Sequence, residues 1–94
     1  MIRHIVFFSA RDKADIPAIV SGLSKLGDIP HSRHFEVRLN GKVDPMGNDV
    51  DVIVYAEFDD VEALAAYKAD PIYAESTRTV RPMRELRYSA DYEA

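Results

Sequence analysis

Apolar residues recur at three different rhythms along this chain. The first is a run. Ile2, Ile5, Val6, Phe7 and Phe8 enclose Arg3 and His4, so beyond those two residues the stretch is apolar on both faces. Ile and Val favour the pleated conformation, and a strand apolar on both sides belongs in the middle of its sheet. The second rhythm is helical. Ile16, Ile19, Val20, Leu23 and Leu26 form one stripe, with Asp15 placed to cap it, Pro17 tolerated in its first turn and Gly27 placed to end it. The third rhythm is alternation. From about Arg33 to Asn40, Phe35, Val37 and Leu39 alternate with His34, Glu36 and Arg38. From about Val50 to Phe58, Val50, Val52, Val54, Ala56 and Phe58 face one way, and the mixed set Asp51, Ile53, Tyr55 and Glu57 faces the other. The Gly- and Asp-containing segment from Gly41 to Asp49 separates the two strands as a loop.

The second half reads as helix, helix, strand. Asp59 or Asp60 opens a helix, Asp59 and Glu62 having capping-box spacing, with Val61, Leu64, Ala65 and Tyr67 as its inner stripe. Asp70-Pro71 then starts a shorter helix, Asp as cap and Pro as first helical residue. That helix faces inward through Ile72, Ser76 and Val80 and ends at Pro82, before a last strand from Met83 to about Asp91. The order β-α-β-β-α(α)-β is the ferredoxin-like arrangement of the α+β class: a four-stranded antiparallel sheet with its helices on one face. The other face of such a sheet is left open. On the third strand it carries either the valine set or the mixed set. Closure against a second copy would bury it, which predicts a homodimer.

Composition narrows the function. The 94 residues, 47% of them hydrophobic, are expected to form a single domain spanning 1–94. A chain this short buries only about 60–65% of its unfolded surface, so a partner subunit would help it. No window approaches the ~18 apolar residues of a membrane helix. There is no signal-peptide pattern and no cysteine, which excludes disulfides and a thiol nucleophile and points to the cytoplasm. A net charge of −4 and a pI near 5.2 argue against nucleic acid as a partner. Arg78, Arg81, Arg84 and Arg87 recur at every third position; with Pro82 interrupting them, they read as solvated residues on separate surfaces.

Candidate chemistry is sparse. No Gly-rich phosphate loop, nucleophile elbow or metal-ligand spacing is present, so no cofactor is expected. His31 and His34, three apart, would fall on opposite faces of a strand and make no metal pair. His4 sits inside an apolar strand and needs a partner there. It is either a satisfied core histidine bonded to Asp51, Tyr67 or Tyr73, or a base facing a ligand between sheet and helices. Tyr67 and Tyr73 are either core aromatics or pocket hydroxyls, and Asp70 is a helix cap or a pocket carboxylate.

The stretches IRHIVFF, DIPHSRHFEVRLN, DVDVIVYAEFDDVEALAAYKADP and RYSADYE, taken in order, resemble the stress-responsive A/B barrel (Dabb) domain family of dimeric α+β barrels. Arg3-His4, Asp51, Tyr67 and the terminal Asp91-Tyr92-Glu93 fall where family members carry similar residues. The resemblance implies His4, Asp51, Tyr67, Asp70 and Tyr73 as the positions to examine for ligand binding, and His4, Tyr67 and Tyr73 for catalysis. The family includes plant polyketide cyclases, in which a His-Pro-x-His element supplies a base and the tyrosine assists. Here that element reads Asp70-Pro71-Ile72-Tyr73, so Tyr73 stands where the base would be. With a reference pKa near ~10 against ~6.5 for histidine, tyrosine is a poor base at neutral pH and a better hydrogen-bond donor. Three readings follow. One is a dimer of unassigned activity that binds a small apolar or aromatic molecule or serves a stress-related role. Another is a cofactor-free enzyme of cyclase or monooxygenase type built on a His/Tyr pocket. The third is a structural module that assembles further.

Overall fold

The computed structural model describes residues 1–94. Its central strand is β1 (Ile2–Ala10), paired antiparallel with β3 (Val52–Phe58) on one side and β4 (Arg84–Glu93) on the other. Strand β2 (His34–Leu39) pairs with β3 at the far edge, giving the sheet order β2-β3-β1-β4. The fold is ferredoxin-like α+β, with all four strands antiparallel to their neighbours. The apolar run at the N-terminus lies in the interior of the sheet, as its two apolar faces require.

Three helices cover one face. Helix α1 (Ile16–Ser24) buries Ile19 and Leu23. It then tightens into a 3₁₀ turn, Lys25–Asp28, that brings Leu26 inward. Gly27 does not end the helix as a left-handed cap. Its role is close approach, because a Cβ there would lie 3.0 Å from the Phe35 ring. Asp15 occupies the N-cap position of α1 without a side-chain bond; Asp12 caps the preceding 3₁₀ turn, Lys13–Asp15, by accepting from the Ala14 amide.

Helix α2 (Val61–Ala69) is capped by Asp60, which accepts from the Ala63 amide at 2.9 Å. Asp59 instead pairs with Arg33, so the expected capping box does not form. The anticipated inner stripe is narrower too. Tyr67 alone is fully buried, Leu64 is half-buried, and Val61 and Ala65 face solvent. Helix α3 (Pro71–Val80) begins under the Asp70 cap, whose carboxylate accepts from the Ile72 amide at 2.9 Å. It buries Ser76 and Val80. Ser76 donates to the Gly22 carbonyl at 3.0 Å, tying α3 to α1 where the absent Cβ of Gly22 lets Val80 approach.

Alternation assigns the two sheet faces. Ile2, His4, Val6 and Phe8 of β1 and Val52, Val54, Ala56 and Phe58 of β3 point toward the helices and form the core. The mixed set of β3 therefore faces away. Ile53 and Tyr55 lie beside Phe7 and Ile5 of β1, and these lie beside Tyr88 and Ala90 of β4. The open face is thus an aromatic and aliphatic band. Arg3, Glu57 and His34 border it at one end, and the Glu36–Arg38 pair of β2 flanks Tyr55 and Ile53 along one edge. None of the helices approaches it, and Tyr88 is 66% exposed.

Candidate functional site

The site begins at one residue, His4, which the β1 register places opposite Ala56 on one side and Asp91 on the other. Its ring is 1% exposed. Nδ1 lies 2.5 Å from Asp91 Oδ1. An ionised carboxylate only accepts, so Nδ1 carries the proton and donates, and Nε2 is left with its lone pair. Nε2 makes no hydrogen bond, and it is not sealed inside the protein either. The one sealed side-chain nitrogen or oxygen without a partner is Arg3 Nε, on the other sheet face. Burial pushes the His4 pKa below its ordinary value, against the pull of the Asp91 hydrogen bond and charge; Lys68 and Arg87 push it further down. The imidazole is therefore neutral at pH 7.

Aromatic rings surround it. Tyr67 of α2 packs edge-on against Phe58 at 4.9 Å, Tyr73 at 5.4 Å and His4 at 6.1 Å between ring centroids. Tyr67 is 1% exposed, and burial first, then the nearby Tyr73, drive its pKa upward, so its hydroxyl stays protonated and keeps a proton to donate. Tyr73 Oη receives a long contact of 3.5 Å from Arg87. His4, Tyr67 and Tyr73 all line one cavity of about 30 Å³ between the sheet and α3, with Val6, Phe8, Leu23 and Val80 on its apolar walls. A cavity of this size admits a water-sized group.

Three of the five expected site residues are thus brought together, and two are not. Asp51 lies five positions from Ala56, the residue opposite His4, so strand rise puts it roughly 16 Å away. It is fully engaged there, bonded by the Ala10 amide at 2.9 Å, Lys13 at 2.8 Å and Lys42 at 3.2 Å. Burial pushes its pKa up, but those donors outweigh it and hold the carboxyl below its ordinary value. Asp70 caps α3 and does not line the cavity. None of the three partners considered for His4 takes its proton; the acceptor is Asp91, 87 residues away in sequence.

Sequence reasoning also missed the arginines. Arg84 and Arg87 line the cavity, and with Arg81, Tyr73 and Thr77 they surround an adjoining hollow of about 220 Å³. Three of the four periodic arginines therefore converge on one surface. The strand starts just after Pro82, and α3 ends just before it, so the turn folds both sides of the run together. The signal was their three-residue spacing, read as exposure. His31 lies in the turn before β2, so the strand argument about it and His34 does not apply.

The family model of the stress responsive A/B barrel domain matches residues 2–94. The chain belongs to that family. No curated protein matches it. Among solved structures it resembles a dimeric protein of unknown function and ferredoxin-like fold from Bacteroides fragilis. That protein is 25% identical, with a TM-score of 0.80 over 99% of this chain and 95% of the other. A Dabb family protein from Mesorhizobium loti is 24% identical, with a TM-score of 0.84 over 99% and 95%. An antibiotic biosynthesis monooxygenase is 14% identical, with a TM-score of 0.80 over 100% and 98%, a likeness of fold. The chain shares the Dabb fold, carries no histidine from Asp70 to Tyr73, and has its one buried histidine, His4, on β1.

Proposed function

We propose that this Dabb protein is a homodimeric barrel that transfers a proton on a small, mainly apolar carbonyl compound, with His4 as base. The observation that carries the proposal is the pairing of buried His4 with Asp91 at the surface, which leaves unpaired Nε2 on a ring that lines the cavity. In this reading Nε2 removes a proton from the carbon beside the carbonyl. The C–H electron pair forms the carbon–carbon double bond of an enolate while the carbonyl π pair moves onto oxygen, and Asp91 stabilises the imidazolium that forms, as a carboxylate does for a histidine base elsewhere. Tyr67 and Tyr73 line the same cavity, and their hydroxyls are donors for the resulting enolate oxygen in this reading. Protonation at another atom completes the turnover and regenerates neutral His4. The cavity is small as it stands, so the substrate's bulk extends through the mouth beside Arg87.

Dimerisation is supported by the open band of Ile5, Phe7, Ile53, Tyr55, Tyr88 and Ala90, a contiguous and mainly apolar patch that no helix covers, and by the dimeric state of the Bacteroides fragilis neighbour. The test of the chemistry is hydrogen–deuterium exchange. Aryl ketones and β-keto thioesters in D₂O, followed by NMR, exchange their α-protons faster with the protein than without it, and His4→Gln abolishes the difference. Equal exchange with wild type and His4→Gln across the panel refutes the proton-transfer reading.

A further inference from the structure

Three arginines meet at the mouth of the cleft. Arg81 follows α3, Arg84 and Arg87 lie on β4, and with Tyr73 and Thr77 they enclose the 220 Å³ hollow. Tyr73, Thr77, Arg84 and Arg87 also line the inner cavity, so the hollow is the vestibule of the cleft that holds His4. No carboxylate neutralises these cations. None of the three is in an ion pair; the paired basic groups are the N-terminus, His4, Lys13, Lys25, Arg33, His34, Arg38 and Lys42. The nearest polar partner of the three guanidinium groups is Tyr73 Oη, 3.5 Å from Arg87. Arg84 and Arg87 are half-buried. Burial disfavours the charged form of Arg84, and repulsion from Arg87 and Arg81 adds to it.

This arrangement is costly for folding. The chain has an excess of carboxylates and a net charge of −4, yet none is placed here. Three forked donors around a concavity, with the Tyr73 hydroxyl on its rim, match the oxygens of a carboxylate or phosphate. The apolar chamber behind them matches the opposite end of an amphiphilic molecule. We propose that the vestibule binds the anionic group, carboxylate or phosphate, of an amphiphilic ligand whose apolar end points toward the mouth of the His4 cavity. This rests on the cleft being the binding site and adds the substrate's charge. The arginines also set orientation: an anion held at the mouth presents the apolar end of the ligand, not the charged one, to Nε2.

The experiment uses the full chain and three probes sharing one ring: benzoate, phenyl phosphate and neutral benzyl alcohol. Binding is followed by NMR at the arginine side-chain Nε–H groups and the His4 ring. At least one anion is expected to bind about tenfold more tightly than benzyl alcohol, the discrimination one charge-assisted hydrogen bond supplies. The ratio of the two anions identifies which group the site takes. Arg84→Gln and, at an exposed position, Arg81→Gln each weaken the anion and leave benzyl alcohol unchanged. Arg84→Gln does so without lowering Tm, because it relieves repulsion, and Arg81→Gln repeats the test should Arg84→Gln not fold. Anions that bind no better than benzyl alcohol, or that ignore both variants, overturn the proposal. If benzyl alcohol still perturbs His4 in that case, the cleft reading stands and only the anion site falls. No perturbation of His4 by any probe overturns both.

Discussion

Removing the Asp91 carboxylate separates what it does for the fold from what it does for the histidine. In Asp91→Ala the Nδ1–H of a ring that is 1% exposed loses its acceptor. An unsatisfied buried donor costs about 1–3 kcal/mol. The Asp91 side chain is itself 36% exposed, so water can reach the vacated space, and the lower part of that range, about 1–1.5 kcal/mol, is expected. For a chain of this size that is roughly a 5–10 °C fall in Tm. Asp91→Asn offers Nδ1–H a neutral acceptor and keeps most of the stability, but it removes the charge that supports the imidazolium. Its amide can also turn to donate, which puts the ring proton on Nε2 and silences the base. The expected pattern is therefore a large loss of Tm in the alanine variant alone and a loss of proton exchange in both. In addition, the already depressed His4 pKa moves further down in the asparagine variant, read from the His4 ring carbon shift against pH. Thermal melts at one fixed protein concentration and the NMR titration supply the two axes. A His4 titration unchanged in Asp91→Asn would refute the reasoning, because the carboxylate would then not be what holds the imidazole.

Other outcomes follow from the same geometry. His4 is held neutral by burial, so its folded pKa lies below its unfolded value; the unfolded chain takes up this proton first, and stability falls as pH drops from the unfolded pKa toward the folded one. Asp51, depressed by its Lys13, Ala10 and Lys42 donors, adds a second loss at lower pH, through its folded pKa. Chemical denaturation between pH 7 and pH 4 should show the His4 component vanish in His4→Gln. Phe7→Glu puts a charge in the middle of the open face, beside Ile53 and Tyr88; light scattering is expected to report monomer, and an unchanged dimer would move the interface elsewhere. Asp70→Ala removes the α3 cap and costs about 1 kcal/mol in melting experiments, with proton exchange retained at temperatures where the chain is folded. A selective loss of exchange there would bring Asp70 back into the site. Tyr67→Phe deletes a hydroxyl but keeps the ring packing on Phe58 and Tyr73, so exchange falls while Tm changes little.

The sequence by itself determined the elements and their order, because each element's rhythm is local. The run from Ile2 to Phe8, the stripe from Ile16 to Leu26 and the alternation of Val52 to Phe58 each record which side of a few neighbouring residues leaves water. Asp70-Pro71 marked a helix start for the same reason: a cap and its first turn are adjacent in the chain. Where local signals competed, tertiary contacts decided. Asp59 lost its expected cap role because Arg33 lay across from it, and Gly27 was needed against Phe35 rather than at a helix end. The site depended on what no local rhythm encodes. His4 meets Asp91 only because β1 and β4 pair in one register, and a slip of one residue would send the carboxylate to the other face. The sheet's open side, ambiguous while two residue sets alternated on β3, was settled by where the helices pack. The arginines became a cluster only when the turn at Pro82 folded the end of α3 onto the start of β4. A chain can announce its strands and helices from composition a few residues wide; which side chains share a cavity is fixed by register and crossing, and those are properties of the assembled sheet.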